Sequence, residues 1–214
     1  MKTLTPRSRL FLGTAPLLAL ALSACVSFGG KPPKKLMSLS AENRVAAGAV
    51  SGGASSGSII VLDPEVAKKL DTVRVPVQVD ATTVAYVTDA AWVDTPRHMF
   101  QGLLSETISA GGKILVLAPG QFSADPGKRL LGEIVDFGID ARTKTATVTY
   151  DATLTTPDGT TVSRKRFSAS EPVSTIDAAH VGNPLNRAAN KVAAEVAEWL
   201  VAQPAVAAPA APAQ

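Results

Sequence analysis

The chain contains a single cysteine, Cys25, and it directly follows Leu22, Ser23 and Ala24. A lone thiol has no intrachain disulfide partner, so its chemistry must lie elsewhere. Leucine, two small residues and cysteine form the lipobox pattern, in which the chain is cut before the cysteine and the thiol is acylated. The upstream residues agree. Lys2, Arg7 and Arg9 give a positive start, residues 10–22 are almost wholly apolar, and Ser23 and Ala24 are small residues at a cleavage position. The apolar run is shorter than the ~20 residues of a membrane span, and Pro16 interrupts it. These features predict a signal peptide over 1–24 and a lipidated Cys25, against the alternative of a plain signal peptide with a chance cysteine. A single acyl chain holds a protein to a bilayer only marginally. A mature bacterial lipoprotein carries a diacylglyceryl group and usually a third chain, which makes a firm anchor.

Other chemistry-bearing residues form no recognisable set. The two histidines, His98 and His180, lie in no H-E-x-x-H pattern and have no further cysteine to complete a zinc site. No G-x-S-x-G nucleophile elbow occurs. The stretch 51–57 is Gly-rich but lacks the Lys-Ser/Thr of a phosphate-binding loop, and reads as a flexible loop. Asp63 with Glu65, and Asp136 with Asp140, are scattered at strand spacings that do not define an acid–base pair. Arg164, Lys165 and Arg166 alternate along a predicted strand, which divides their charge between two faces. The expectation is a protein with no catalytic residues, no metal and no cofactor.

Charge supports the same conclusion. The full chain has 21 Lys and Arg against 18 Asp and Glu. Lys2, Arg7 and Arg9 account for the whole excess, so the chain after residue 24 has 18 of each sign. Its basicity belongs to the export signal and gives no footing for nucleic-acid binding. Residues 25–35 then read as the lipidated N-terminus and a Gly/Pro/Lys tether. Residues 36–202 form one domain, with a low-complexity loop at 46–58, and 203–214 form a Pro/Ala tail that cannot bury a core.

Within the domain, hydrophobic spacing predicts the elements. Residues 35–39 suggest a short first strand, and 59–62 a buried one. Residues 73–79 alternate, but Pro76 removes a ladder donor, which predicts an edge strand or extended segment. Another strand is expected at 83–87. Asp94-Thr95-Pro96 predicts a helix start with Asp94 as the capping carboxylate. Met99, Phe100, Leu103, Leu104 and Ile108 then make its apolar stripe, and Gly111 and Gly112 end it. Strands are expected at 113–117 and 130–140. In the strongest β signal, Ala146, Val148, Tyr150, Ala152 and Leu154 alternate with threonines and Asp151. Pro157-Asp158-Gly159 predicts a turn into a returning strand at 160–170. Ser174 or Thr175 is expected to cap a last helix whose stripe is Leu185, Ala188, Val192, Val196, Trp199 and Leu200. The fold class is therefore α+β: one domain, a largely antiparallel sheet, and two main helices on one face.

Between residues 59 and 117 the chain resembles the ABC-type transport auxiliary lipoproteins. That family includes the lipoprotein of the paraquat-inducible intermembrane transport system. The matching residues are Leu70, Asp71, Arg74, Val75, Tyr86, Trp92, Asp94, Pro96, Leu103 and Leu104. The resemblance continues more weakly through the 131–154 strands to the Trp199 helix. The Tyr-rich first strand usual after the anchor is replaced here by Lys35-Leu36-Met37-Ser38-Leu39. The resemblance implies a non-enzymatic accessory of a transport system for lipids or other hydrophobic molecules. Its implied partners are a periplasmic mammalian-cell-entry (MCE) domain protein and an inner-membrane ABC permease and ATPase. Val26 rather than Asp after the cysteine fits an outer-membrane anchor facing the periplasm, with the inner membrane as the alternative. A structural or assembly lipoprotein of an outer-membrane or secretion complex would use the same anchor and domain. Tyr86 and Trp92 have two readings: contacts for a partner or lipid, since aromatic anchors dominate interfaces, or core packing, which is the favoured one.

Overall fold

The structure, a computed structural model, describes residues 35–50, 52, 57–118, 127–156, 159 and 162–203, all within the compact unit Pro33–Gln214. Eight strands and two helices follow one another as β1 (Ser58–Val61), β2 (Glu65–Val66), β3 (Arg74–Gln78), β4 (Val84–Ala91), α1 (Pro96–Ala110), β5 (Leu115–Leu117), β6 (Lys128–Asp140), β7 (Thr145–Thr155), β8 (Val162–Pro172) and α2 (Gly182–Val201).

The long strand β6 organises the sheet. One of its edges pairs antiparallel with β7 along almost its whole length, and β7 pairs antiparallel with β8. The other edge is met in succession by three short strands, β1, β2 and β3, each parallel to it. Beyond them, β5 extends the sheet from β1 and β4 extends it from β3. The long pairings are thus antiparallel, while the short strands β1, β2 and β3 run parallel to β6, within an α+β domain.

The sequence pattern of β6 changes phase part-way along. Leu130 and Ile134 are buried at even positions, but Phe137 and Ile139 are buried at odd ones. A flat strand would turn one of these pairs to solvent. The register shows the remedy: Ile134 faces Tyr150 while Asp136 faces Thr149, so one extra residue is accommodated between them. This bulge keeps all four apolar side chains on the core side. Opposite them Ala146, Val148, Tyr150, Ala152 and Leu154 are buried as their alternation predicts.

Two glycines permit close approaches on β6. A Cβ on Gly132 would lie 2.3 Å from the Asp151 carbonyl oxygen and 2.5 Å from the Tyr150 ring. The ring crosses that gap, and its hydroxyl donates to the Leu131 carbonyl at 3.0 Å. A Cβ on Gly138 would lie 2.5 Å from the Pro76 carbonyl oxygen. This second approach corrects the expectation for β3, which is not an edge strand but lies between β4 and β6. Pro76 is accommodated because its ladder position falls at a register shift against β4 and before the β6 pairing begins at Val77. At the same shift, Arg74 faces Ala91 and Pro76 faces Tyr86, so β4 bulges outward, with Asp89 in the left-handed region at φ +56°.

Both helices pack on the core face, and they pack against each other. Proline stands at the start of α1 as expected, but the cap differs from the prediction. Thr95 is the N-cap residue, without a side-chain cap bond, and the Asp94 carboxylate accepts the Thr95 N–H at 2.6 Å. The last helix starts later than predicted. Ser174 and Thr175 precede a turn in which the Asp177 carboxylate accepts the Ala179 and His180 N–H groups, and α2 begins at Gly182. Pro184 fits the first turn, where its missing donor is not needed. α2 buries Leu185, Ala188, Val192, Val196 and Leu200, while Trp199 is half-buried against Phe167, ring centroids 5.7 Å apart. Glu171 of β8 secures the helix from its other flank by accepting from Arg187 at 3.0 Å and from Lys191.

The segment predicted as a first strand is extended but makes only an isolated bridge, Met37 to Trp92. β1 begins at Ser58, the last residue of the predicted Gly/Ser loop, whose residues 51 and 53–56 lie outside the described residues. So do residues 157 and 158 of the β7–β8 turn, where Gly159 has φ +69°.

Two expectations follow. Gly132→Ala should destabilise the domain by about 1–3 kcal/mol, the usual cost of overpacking, because the paired β7 backbone cannot yield; urea unfolding measures it. Glu171 is held below its usual carboxylate range by its bonds to Lys191 and then Arg187. Its contribution is therefore complete above the unfolded value near 4.5 and is lost as pH falls through the lower folded value. Glu171→Gln should flatten the fall in Tm below about pH 4.5 and leave the curve near neutrality parallel to that of the native protein.

Candidate functional site

One aromatic candidate stands on β4 and the other just past its end, yet the fold separates their surroundings. Trp92 follows β4 directly and is 1% exposed. Its ring meets Phe137 edge-on, centroids 5.7 Å apart. Phe137 meets Phe100 of α1 at 6.4 Å, and Phe100 meets Tyr150 of β7 at 5.3 Å. Trp92 thus begins an edge-to-face series joining β4, β6, α1 and β7, a geometry aromatic rings prefer. Its indole Nε1 is buried without a hydrogen-bond partner among the described residues.

Tyr86 is half-buried. The Arg74 guanidinium lies over its ring, 4.0 Å from the centroid, and its hydroxyl donates to the Lys69 carbonyl at 3.4 Å. Arg74 itself is exposed, so the pair presents a cation stacked on an aromatic plane at the sheet margin. Below it a cleft of about 260 Å³ is lined by Lys69, Gln78, Asp136, Asp140 and Arg142 among others. Its charges are already satisfied: Lys69 pairs with Asp136 at 3.3 Å and Arg142 with Asp140 at 3.0 Å. Hydrogen bonds from Arg142 hold the Asp140 carboxyl below its usual range.

The remaining chemistry-bearing side chains do not converge. His98 is bracketed by Asp63 on Nε2 at 3.2 Å and Asp94 on Nδ1 at 3.3 Å. The two carboxylates occupy opposite sides of the ring, so the three groups do not point at a common ion. His180 pairs with Asp177 at 2.6 Å within its own turn. No group of three or more His, Cys, Asp or Glu among the described residues is placed to hold a metal. Arg164, Lys165 and Arg166 divide between two faces as their alternation predicts. Arg166 binds Asp151 at 2.5 and 2.6 Å, while the Lys165 ammonium lies 4.9 Å from the Phe167 ring. On the face away from the helices, Thr147 with Ser170 and Thr149 with Ser168 form hydroxyl pairs at 2.9 and 2.8 Å.

One arrangement is not legible from apolar spacing alone. Residues 37–45 cross the helical layer as a strap. Met37 N–H donates to Ala91, and Met37 accepts from Val93, both at 2.8 Å. Further along, Asn186 accepts the Ser40 N–H at 2.8 Å. Asn190, 6% exposed, accepts the Glu42 N–H at 2.8 Å and donates to the Ser40 carbonyl at 2.9 Å. Glu106 of α1 accepts the Val45 N–H at 2.8 Å. The signal available in the sequence was two asparagines four residues apart on α2, one of them beside the buried stripe.

The family model described as ABC-type transport auxiliary lipoprotein component matches residues 38–197. The chain belongs to that family. The match spans the domain from the strap to the last turns of α2, and the family is one of auxiliary transport components rather than enzymes. No curated protein is significantly similar in sequence. The crystal structure of protein XCC0632 from Xanthomonas campestris superposes with a TM-score of 0.60 at 22% identity, covering 67% of this chain and 83% of that one. The crystal structure of an uncharacterized protein superposes with a TM-score of 0.58 at 12% identity, covering 78% and 99% respectively. Both show that the auxiliary lipoprotein domain shares its fold with these proteins. No described helix is long and apolar enough to cross a membrane. Cys25 and the lipobox residues Leu22, Ser23 and Ala24 lie outside the described residues.

The two aromatics should separate in unfolding experiments. Trp92→Ala should cost about 3–5 kcal/mol, the range for removing a large buried aromatic. Tyr86→Ala should cost about 1 kcal/mol, as for a half-exposed side chain. Urea denaturation with the Trp199 fluorescence retained measures both.

Proposed function

We propose that this chain is processed before Cys25, acylated there, and held on the outer membrane facing the periplasm, where it serves an ABC/MCE-type system moving lipids or other hydrophobic molecules. The carrying observation is the family match, which starts at residue 38, only thirteen residues after the lipobox cysteine. The residues between are a tether and the domain behind them is the auxiliary component. Residues 1–24 are the removed signal.

The domain's part in such a system is to bind protein. The charged groups of the cleft, Lys69 with Asp136 and Arg142 with Asp140, are paired with each other, and the Arg74–Tyr86 stack offers the residue types favoured at interface centres. Trp92 supports that surface from inside rather than touching a partner. The partners are an MCE-domain periplasmic protein and, through it, the inner-membrane permease and ATPase.

Mild crosslinking in cells followed by purification from membranes should recover MCE and ABC subunits with the native chain, and fewer of them with Tyr86→Ala. Recovery of no transport component would overturn the assignment. Cys25→Ser should leave an unprocessed precursor or an unanchored domain; normal membrane fractionation of that variant would refute the anchor.

A further inference from the structure

The strap holds the chain's entry into the domain in one place. The strap is secured to Trp92, Asn186, Asn190 and Glu106. Met37, Leu39 and Ala41 also pack against the core. The chain therefore leaves the domain at a fixed point, Leu36, beside the end of β4. Eleven residue steps separate Leu36 from Cys25, a reach of at most about 40 Å at ~3.6 Å per residue.

That exit point is also where exposed apolar side chains gather. Leu36 is 54% exposed and Val93 56%, and they flank the Met37–Trp92 bridge. Val73, 41% exposed, accepts the Trp92 N–H on the other side of the same backbone. Three large, exposed apolar residues thus stand on three adjacent backbone segments at the tether's root. Lys35 precedes them, exposed, with Lys34 and Lys31 before it in the sequence.

We propose that this corner, Leu36, Val73 and Val93, is a bilayer-contact surface that seats the domain on the membrane holding its acyl chains. The proposal rests on the lipidation of Cys25. The tether raises the local concentration of the corner at the bilayer, so a contact too weak to recruit a free domain suffices for an anchored one. Apolar side chains enter the interfacial zone while Lys35, the exposed residue before them, meets anionic head groups. The opposite edge strand, β8, is then directed away from the bilayer.

Acylation consumes the only native thiol, so an introduced cysteine can be labelled alone. The lipidated protein with Val93→Cys, carrying an environment-sensitive fluorophore, is reconstituted on phosphatidylethanolamine–phosphatidylglycerol vesicles with brominated acyl chains. A matched sample carries the label at Val162→Cys, equally exposed at 56% but at the start of β8. A blue shift and bromine quenching at position 93, with neither at 162, is the expected result. A label at Val73→Cys should be quenched likewise and lose its quenching when Leu36→Glu and Val93→Glu are added. Vesicle-bound protein with no quenching at 93, equal quenching at both positions, or shielding at 93 through self-association alone would overturn the corner while leaving the anchor intact. Protein that does not float with the vesicles would overturn the anchor and the corner with it.

Discussion

A strand of thirteen residues can serve one core only if its inward side chains stay inward to the end, and β6 meets that demand with one extra residue. Much of the domain depends on it. The first half of β6 sets Leu130 and Ile134 against β7, and the second half sets Phe137 where it can touch both Trp92 and Phe100. Without the phase change at the bulge, Phe137 would face solvent and the aromatic series from β4 to β7 would be broken. The same strand carries β1, β2 and β3 in file along its other edge, so its twist also determines where the short parallel strands lie.

The aromatic series ties the tryptophan that follows β4 to the helix that opens at Asp94-Thr95-Pro96. Trp92 fixes the end of β4, the strap is bridged to its backbone, and α1 begins four residues later. Tyr86, six residues upstream on the far side of a bulge, is released from that packing and stacks under Arg74 instead. β4 and the residue just past its end thus supply a surface residue and a structural residue within a short span.

The fold class and most elements were legible because period-two and helical spacing are local properties. The buried faces of β7 and α2 followed their patterns, although Trp199 is only half-buried and Thr149 of the opposite face is buried as well. What could not be read were features depending on distant partners. Pro76 looked like an edge marker, yet a glycine sixty-two residues away, Gly138, makes room for it inside the sheet. Ser174 and Thr175 looked like caps, but Asp177 captured the backbone first and delayed the helix. The strap was invisible because its partners, Asn186 and Asn190, lie nearly 150 residues downstream. For the candidate surface, the sequence named Tyr86 and Trp92 but could not say which of them faced outward.

The outward bulge of β4 has a consequence for the company this domain keeps. A sheet margin with evenly spaced donors and acceptors is a template on which another extended chain can stack, and repetition of that step builds fibres. Asp89, left-handed and charged, breaks the spacing in the middle of that margin. An incoming strand would have to reproduce the same kink to stay in step. A left-handed, acidic residue at this margin thus works against the stacking of another chain on it.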